Sequence, residues 1–195
     1  MHPITKPGER TRWIREQIAG GKDRAELFSE IESFYPVKIT LAKEIAMWLP
    51  PSLLSLYRGK MRLLAALHAG IAICIFVLQI QFDPHFDGNV LGLIDKVIFP
   101  LMFLVVAFGF FFPASPILWL SVVFSWLAFL FSLFVAAILF VLSPQGGDIA
   151  SEGAVIALTL LSGTAVYLSR YLKKRMIPHY RLSGPKKDSE GRYLF

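Results

Sequence analysis

Charge is absent from the middle of this 195-residue chain, because residues 97–147 contain no Asp, Glu, Lys, Arg or His. The stretch is rich in Phe and far exceeds the roughly 20 apolar residues that cross a bilayer as one helix. A soluble domain of this length cannot bury so long an uncharged run, which excludes an ordinary soluble protein. The sequence Pro-Ala-Ser-Pro at 113–116 interrupts the run and predicts a helical hairpin with a tight turn.

Cysteine and catalytic motifs are also scarce. The chain has one cysteine, Cys74, which excludes a disulfide within the chain. The His-Glu-x-x-His, Gly-x-Ser-x-Gly and phosphate-loop patterns do not occur. We therefore expect a protein that is not an enzyme and that holds no metal and no cofactor.

Positive charge is concentrated at the two ends of the chain. Before residue 63 the chain has eleven Lys and Arg and seven Asp and Glu. From residue 170 onward it has eight Lys and Arg and two Asp and Glu. Between them, Lys96 is the one Lys or Arg, against five acidic residues. This distribution follows the positive-inside rule and predicts that both termini are cytoplasmic. It also explains the net charge of +6 without a nucleic-acid partner.

The hydropathy pattern predicts an all-α, polytopic membrane protein with four transmembrane helices. The predicted organisation is an amphipathic-helical cytoplasmic segment (1–61), a membrane region (62–170) and a basic, partly disordered cytoplasmic tail (171–195). The spans are predicted at about 63–80, 91–112, 117–142 and 154–168. A second span beginning at Phe99 would be too short, so we expect the longer helix, kinked by Pro100.

The first 60 residues have the spacing of short amphipathic helices. Helices are predicted over 11–19, 23–35 and 40–49, and Gly20-Gly21, Pro36 and Pro50-Pro51 end them. Residues 52–57 are expected to run along the membrane surface. Because 60 residues make a marginal core, this layer is expected to dock on another surface.

Three ionisable residues lie in or beside the predicted spans. His68 in the first span is interpreted either as a group that hydrogen-bonds to water or to a neighbouring helix, or as part of a functional path. Asp95 and Lys96 begin the second span. In one interpretation Lys96 extends to the outer surface while Asp95 caps the helix start or pairs across the bundle; in the other, the two form the polar entrance of an ion path.

Small residues recur at helical spacing in three of the spans. The third span carries Ser121, Ser125, Ala128, Ser132 and Ala136, the first carries Ala66 and Gly70, and the fourth carries Gly163. Small side chains let membrane helices approach closely. This helix-packing seam predicts packing within the chain, packing between subunits, or a hydroxyl-lined pore.

A basic patch follows the last span. Its members are Arg170, Lys173, Lys174, Arg175 and Arg181. Such a patch suits the anionic inner leaflet of a membrane, and it also suits an acidic cytosolic partner.

These features lead to two functional hypotheses. The first is a non-enzymatic, self-associating membrane anchor or sensor for a cytosolic partner. Its architecture is similar to that of small bacterial inner-membrane components of phage defence and of immunity proteins against membrane-active toxins, an analogy of build alone. The second is a small ion channel or transporter, with His68, Asp95, Lys96 and the serines along its path.

Overall fold

The computed structural model describes residues 7–82, 90–112, 114–142, 149–181 and 183–195. This part of the chain is almost entirely helical, as predicted. Its α-helices are α1 (Pro7–Ala19), α2 (Arg24–Ile31), α3 (Lys38–Met47), α4 (Pro51–Phe82), α5 (Val90–Gly109), α6 (Ser115–Leu142) and α7 (Ile149–Met176). A 3-10 helix follows α2 at Glu32–Phe34, and two short strands, β1 (Tyr180–Arg181) and β2 (Gly184–Pro185), pair antiparallel near the end of the chain.

Three helices are long and apolar enough to cross a membrane. They lie at Pro51–Ile80, Ser115–Leu139 and Glu152–Met176, and Lys96–Gly109 forms a shorter apolar helix. The helix α5 begins near Leu91 and keeps Pro100 in its interior, as the longer of the two alternatives predicted. The chain is thus a membrane protein by the length and composition of three helices.

The chain divides into two compact units, which we call unit 1 and unit 2. Unit 1 comprises the described residues of 1–59, 113–119 and 172–195. Unit 2 comprises those of 60–112 and 120–171. Unit 1 therefore combines the N-terminal helices, the turn before α6 and the C-terminal segment.

The end of α1 and the start of α2 lie close to where the sequence predicts, whereas α2 ends at Ile31 and α3 at Met47, before the predicted ends at 35 and 49. After α1, Gly21 adopts φ +88°, and the Lys22 amide donates to Gln17 O at 3.1 Å, which closes the helix in a left-handed C-cap. At the start of α2, Asp23 Oδ1 accepts hydrogen bonds from the next amides, Ala25 N at 2.8 Å and Glu26 N at 3.2 Å. Residues 52–57, expected to run along the membrane surface into the first span, form the first turns of α4.

Unit 1 has its own apolar core. The buried members come from the three N-terminal helices: Ile14, Ile18, Leu27, Phe28, Ile31, Leu41, Ala42 and Ile45. The turn before α6 joins this unit through Ser115, whose Oγ donates to Ala46 O at 2.7 Å, and through a bridge between Trp48 and Ala114. The short helices therefore pack on one another and on distant chain segments.

The C-terminal segment completes that core. The tail, expected to be partly disordered, instead has strand β2 and a bridge between Lys187 and Tyr193. The rings of Tyr193 and Phe195 lie 5.2 and 5.6 Å from that of Phe28. Composition alone predicted disorder here, because the aromatic contacts that order the tail come from residues far away in sequence.

A turn at Asp188 organises the tail. The Asp188 carboxylate accepts hydrogen bonds from the backbone N–H of Glu190 and Arg192 and from Arg192 Nε, at 2.8–3.0 Å. The backbone N–H of Arg192, followed by its guanidinium, favours the ionised form and holds the pKa of Asp188 below its ordinary value of 3.8.

Acidification tests this turn. A lowered pKa means that the stabilisation is complete above pH 3.8 and is lost as the pH falls through the pKa of the folded state. We expect the Arg192 amide to remain protected from hydrogen exchange from neutral pH down to pH 3.8, and to lose protection below it. Asp188→Ala, which removes the acceptor oxygens, should remove the protection at neutral pH, and equal protection in variant and wild type would contradict the assignment.

The helices of unit 2 pack antiparallel. Lys60 of α4 meets Tyr171 of α7, and a Cβ at Gly70 would lie 3.2 Å from Leu161, so α4 and α7 run in opposite directions at close range. The helices α5 and α6 pair through the rings of Phe99 with Phe131 and Phe103 with Phe124, at 5.9 and 5.4 Å. Unit 2 is therefore held by small residues and aromatic rings, as expected of helices in lipid.

The helix α7 is longer than predicted. The sequence predicts a span that ends near residue 168, but α7 continues to Met176 and includes Lys173, Lys174 and Arg175 in its last turn. Lys and Arg are good helix formers and interact favourably with the C-terminal end of the helix dipole. Most of the basic patch is thus helical.

The outer surface of unit 2 is apolar. Large side chains that are more than 60% exposed include Ile73, Val105, Phe108, Ile156 and Leu160, whereas the serines Ser121, Ser125, Ser132 and Ser162 are buried. This is the reverse of the pattern in a soluble protein. It is the pattern expected where lipid replaces water around the helices.

Candidate functional site

His68 lies in the interior of unit 2. Its side chain is fully buried, and its Nδ1 donates a hydrogen bond to Leu64 O at 2.9 Å in the preceding turn. Its Nε2 lies 3.4 Å from Ser125 Oγ on α6, and its ring centroid lies 6.3 and 6.0 Å from those of Phe103 and Phe110 on α5. His68 therefore joins three helices, in line with the interpretation of a hydrogen bond to a neighbouring helix.

The serine hydroxyls of unit 2 bond mainly to their own helices. Ser125 Oγ donates to Ser121 O at 2.7 Å, and Ser162 Oγ donates to Leu158 O at 2.6 Å. Among the described residues, the buried Ser121 Oγ has no hydrogen-bond partner. A hydroxyl-lined aqueous path would have to break these bonds and pass the rings around His68.

The helix-packing seam lies mostly inside unit 2. Ser121, Ser125, Ala128 and Ser132 are fully buried, and Ala136 is half-buried. On the other helices Gly70 and Gly163 are half-buried, with Leu161 and Phe129 against them, whereas Ala66 is exposed. The arrangement favours packing within the chain over packing between subunits for the α6 residues.

The pair Asp95 and Lys96 is only partly described. Both positions belong to α5, and Lys96 is half-buried. The side chain of Asp95 lies outside the described residues, so the polar entrance stays a prediction. In the part of the chain that the structure describes, His, Cys, Asp and Glu do not form a group that could hold a metal ion.

The basic patch is divided between the two units. Arg170 belongs to unit 2 and lies over the ring of Trp126, at 5.9 Å from its centroid. Lys173 belongs to unit 1 and lies 5.9 Å over the ring of Trp119. Lys174, Arg175 and Arg181 are exposed residues of unit 1.

Sequence reasoning missed an exposed apolar segment of unit 1. Phe34, Val37 and Ile39 are 50%, 53% and 38% exposed, between the 3-10 helix and the first turn of α3. The ion pair of Lys38 with Glu32, at 3.0 Å, lies within the same stretch. The available signal was the apolar pair Val37 and Ile39, which lie between the predicted helices. Phe34 was expected on the apolar side of the 23–35 helix, but α2 ends at Ile31 and the Phe34 side chain is exposed.

Comparisons with models of protein families, with curated proteins and with solved structures find no match to this chain.

Proposed function

We propose that this protein is a non-enzymatic integral membrane protein that holds a folded module, unit 1, at the cytoplasmic surface as an anchor or sensor for a cytosolic partner. The observation that carries the proposal is the make-up of unit 1. Both ends of the chain and the turn before α6 contribute to one charged, ion-paired unit with its own core. A unit built in this way is tied to the apolar helices at several points of the chain.

The make-up of unit 1 from three separate parts of the chain also supports four spans. Unit 1 is polar, so its segments belong on one side of the membrane. The chain leaves unit 1 through α4 and returns to it at residue 113, then leaves through α6 and returns at residue 172. If α4 crosses the bilayer, α5 must bring the chain back, and we propose that α5 is the fourth span.

The charge distribution supports the orientation. Unit 1 contains most of the Lys and Arg of the chain, and positive residues remain on the cytoplasmic side. We propose that both termini are cytoplasmic, in the inner membrane of a bacterium. Phage defence and toxin immunity are the proposed processes, from analogy of build alone.

The exposed segment with Phe34, Val37 and Ile39 is the proposed docking surface for the partner. Exposed apolar side chains next to charged residues are typical of protein interaction sites. We expect the partner to be a soluble protein that buries these side chains against an apolar surface of its own.

The docking surface is tested by purification in mild detergent with quantitative mass spectrometry of retained soluble proteins. The variant Phe34→Ser/Val37→Ser should lose a partner that the wild type retains. Leu56→Ser is the matched control, because Leu56 is an apolar residue of unit 1 that is 71% exposed outside the segment. Retention that does not depend on the segment, or the absence of any stoichiometric partner, would contradict the proposal.

Self-association remains part of the proposal. Since the α6 seam packs within unit 2, contact between copies would use other residues, such as those around the exposed Ala66. Light scattering of the same purified protein should give the mass of a defined oligomer, and a monomer at all concentrations would contradict it.

A further inference from the structure

Unit 2 carries a positive cluster at one end. Lys60 and Arg62 lie at the start of its part of α4, and Arg170 lies at the end of its part of α7. Lys60 Nζ donates to Tyr171 OH at 3.0 Å, which joins these two helix ends. We call Lys60, Arg62 and Arg170 the basic end of unit 2.

Acidic residues are missing from the sequence around this end. Residues 52–80 and 153–187 contain no Asp or Glu. Arg62 and Arg170 make no ion pair with any residue of the described ranges. In unit 1, by contrast, cations such as Arg10 and Lys38 pair with carboxylates. Arg62 and Arg170 therefore keep positive charge that can attract an anion from outside the chain.

Aromatic rings lie beside two of these cations. Arg170 lies over the ring of Trp126, and Lys60 Nζ lies 4.1 Å from the centroid of the Tyr171 ring. Trp and Tyr are enriched where the hydrocarbon meets the headgroups of a bilayer. In the membrane arrangement proposed above, cations held beside such rings are expected at the depth of the lipid phosphates.

We propose that the basic end of unit 2 binds the phosphate groups of anionic phospholipids in the inner leaflet. The proposal rests on the membrane arrangement given above. A phosphodiester supplies both the negative charge and the acceptor oxygens for ammonium and guanidinium donors. A lipid fits better than an acidic protein, because Lys60 and Arg170 lie against Tyr and Trp rings of the kind found at the membrane interface. An acidic protein would need cations that extend into the cytoplasm.

The test is electron spin resonance of the full-length protein in phosphatidylcholine bilayers with spin-labelled phosphatidylglycerol or spin-labelled phosphatidylcholine. We expect the wild type to select phosphatidylglycerol, and Lys60→Gln, Arg62→Gln and Arg170→Gln each to lower that selectivity, by up to about fivefold per cation. Inorganic phosphate added at millimolar concentration should not compete. Competition by it would overturn the lipid assignment in favour of a free phosphate site.

Two controls keep the result interpretable. Arg12→Gln/Lys186→Gln/Lys187→Gln removes three charges from unit 1, as many as the three single variants together, and should leave the selectivity unchanged. Arg62→Lys/Arg170→Lys should retain it. Equal association of both lipids with the wild type, or an equal loss in the unit 1 control, would overturn the proposal. The Phe34→Ser/Val37→Ser variant should keep full lipid selectivity, so failure of the docking surface is distinguishable from failure of the lipid site.

Discussion

Replacing Phe28 with Ala should reduce the hydrogen-exchange protection of α1–α3 about a hundredfold or more. Phe28 is 9% exposed and contacts both the helical core of unit 1 and the rings of Tyr193 and Phe195. Loss of a core Phe costs about 3–5 kcal/mol, and each 1.4 kcal/mol is about a tenfold change in an equilibrium constant. Hydrogen exchange is the suitable measurement because it reports each helix separately in a chain with two units.

Phe34→Ala is the matched control for this prediction. Its side chain is 50% exposed and lies only six residues from Phe28, so we expect a change within about 0.5 kcal/mol. Phe195→Ala, at the other end of the chain, should also lower the hydrogen-exchange protection of α1–α3, because it removes one of the ring contacts of Phe28. If Phe28→Ala and Phe34→Ala gave the same protection, Phe28 would not be part of the core of unit 1, and unchanged protection in Phe195→Ala would exclude the C-terminal segment from that core.

The apolar helices were predictable because lipid imposes a simple rule on sequence. A span must be long and uncharged, so the run at 97–147 and the break at 113–116 predict α6 and the turn before it. The extent of α5 followed from the length needed to reach that turn, even with Pro100 inside the helix. Local signals also predicted the end of α1, at the two glycines that follow it.

The tail and the docking surface could not be predicted in the same way. Strands of two residues have no periodicity to detect, and the contacts of Tyr193 and Phe195 depend on Phe28, more than 160 positions earlier. Exposure of Val37 depends on how unit 1 packs, which no short window of sequence reveals. The surroundings of His68 also required the structure, since Phe103, Phe110 and Ser125 come from two other helices.

Both chain ends should react with an impermeant thiol reagent from the same side of the membrane. The four-span proposal requires this, because each pair of crossings returns the chain to unit 1. If α5 did not cross, α6 and α7 would be inverted, and the C-terminus would lie opposite the N-terminus. Each introduced cysteine is therefore expected either to react fully with the reagent added on one side of the membrane or not to react at all.

Cysteine accessibility in right-side-out membrane vesicles, in a Cys74→Ala background, tests the central claim most directly. We predict that Gly88→Cys and Gln145→Cys react with an impermeant maleimide from outside, whereas Arg12→Cys and Glu190→Cys react only after permeabilisation. Reaction of Glu190→Cys from outside while Arg12→Cys stays protected would contradict the account, because it would mean an odd number of spans and would separate the two ends that build unit 1.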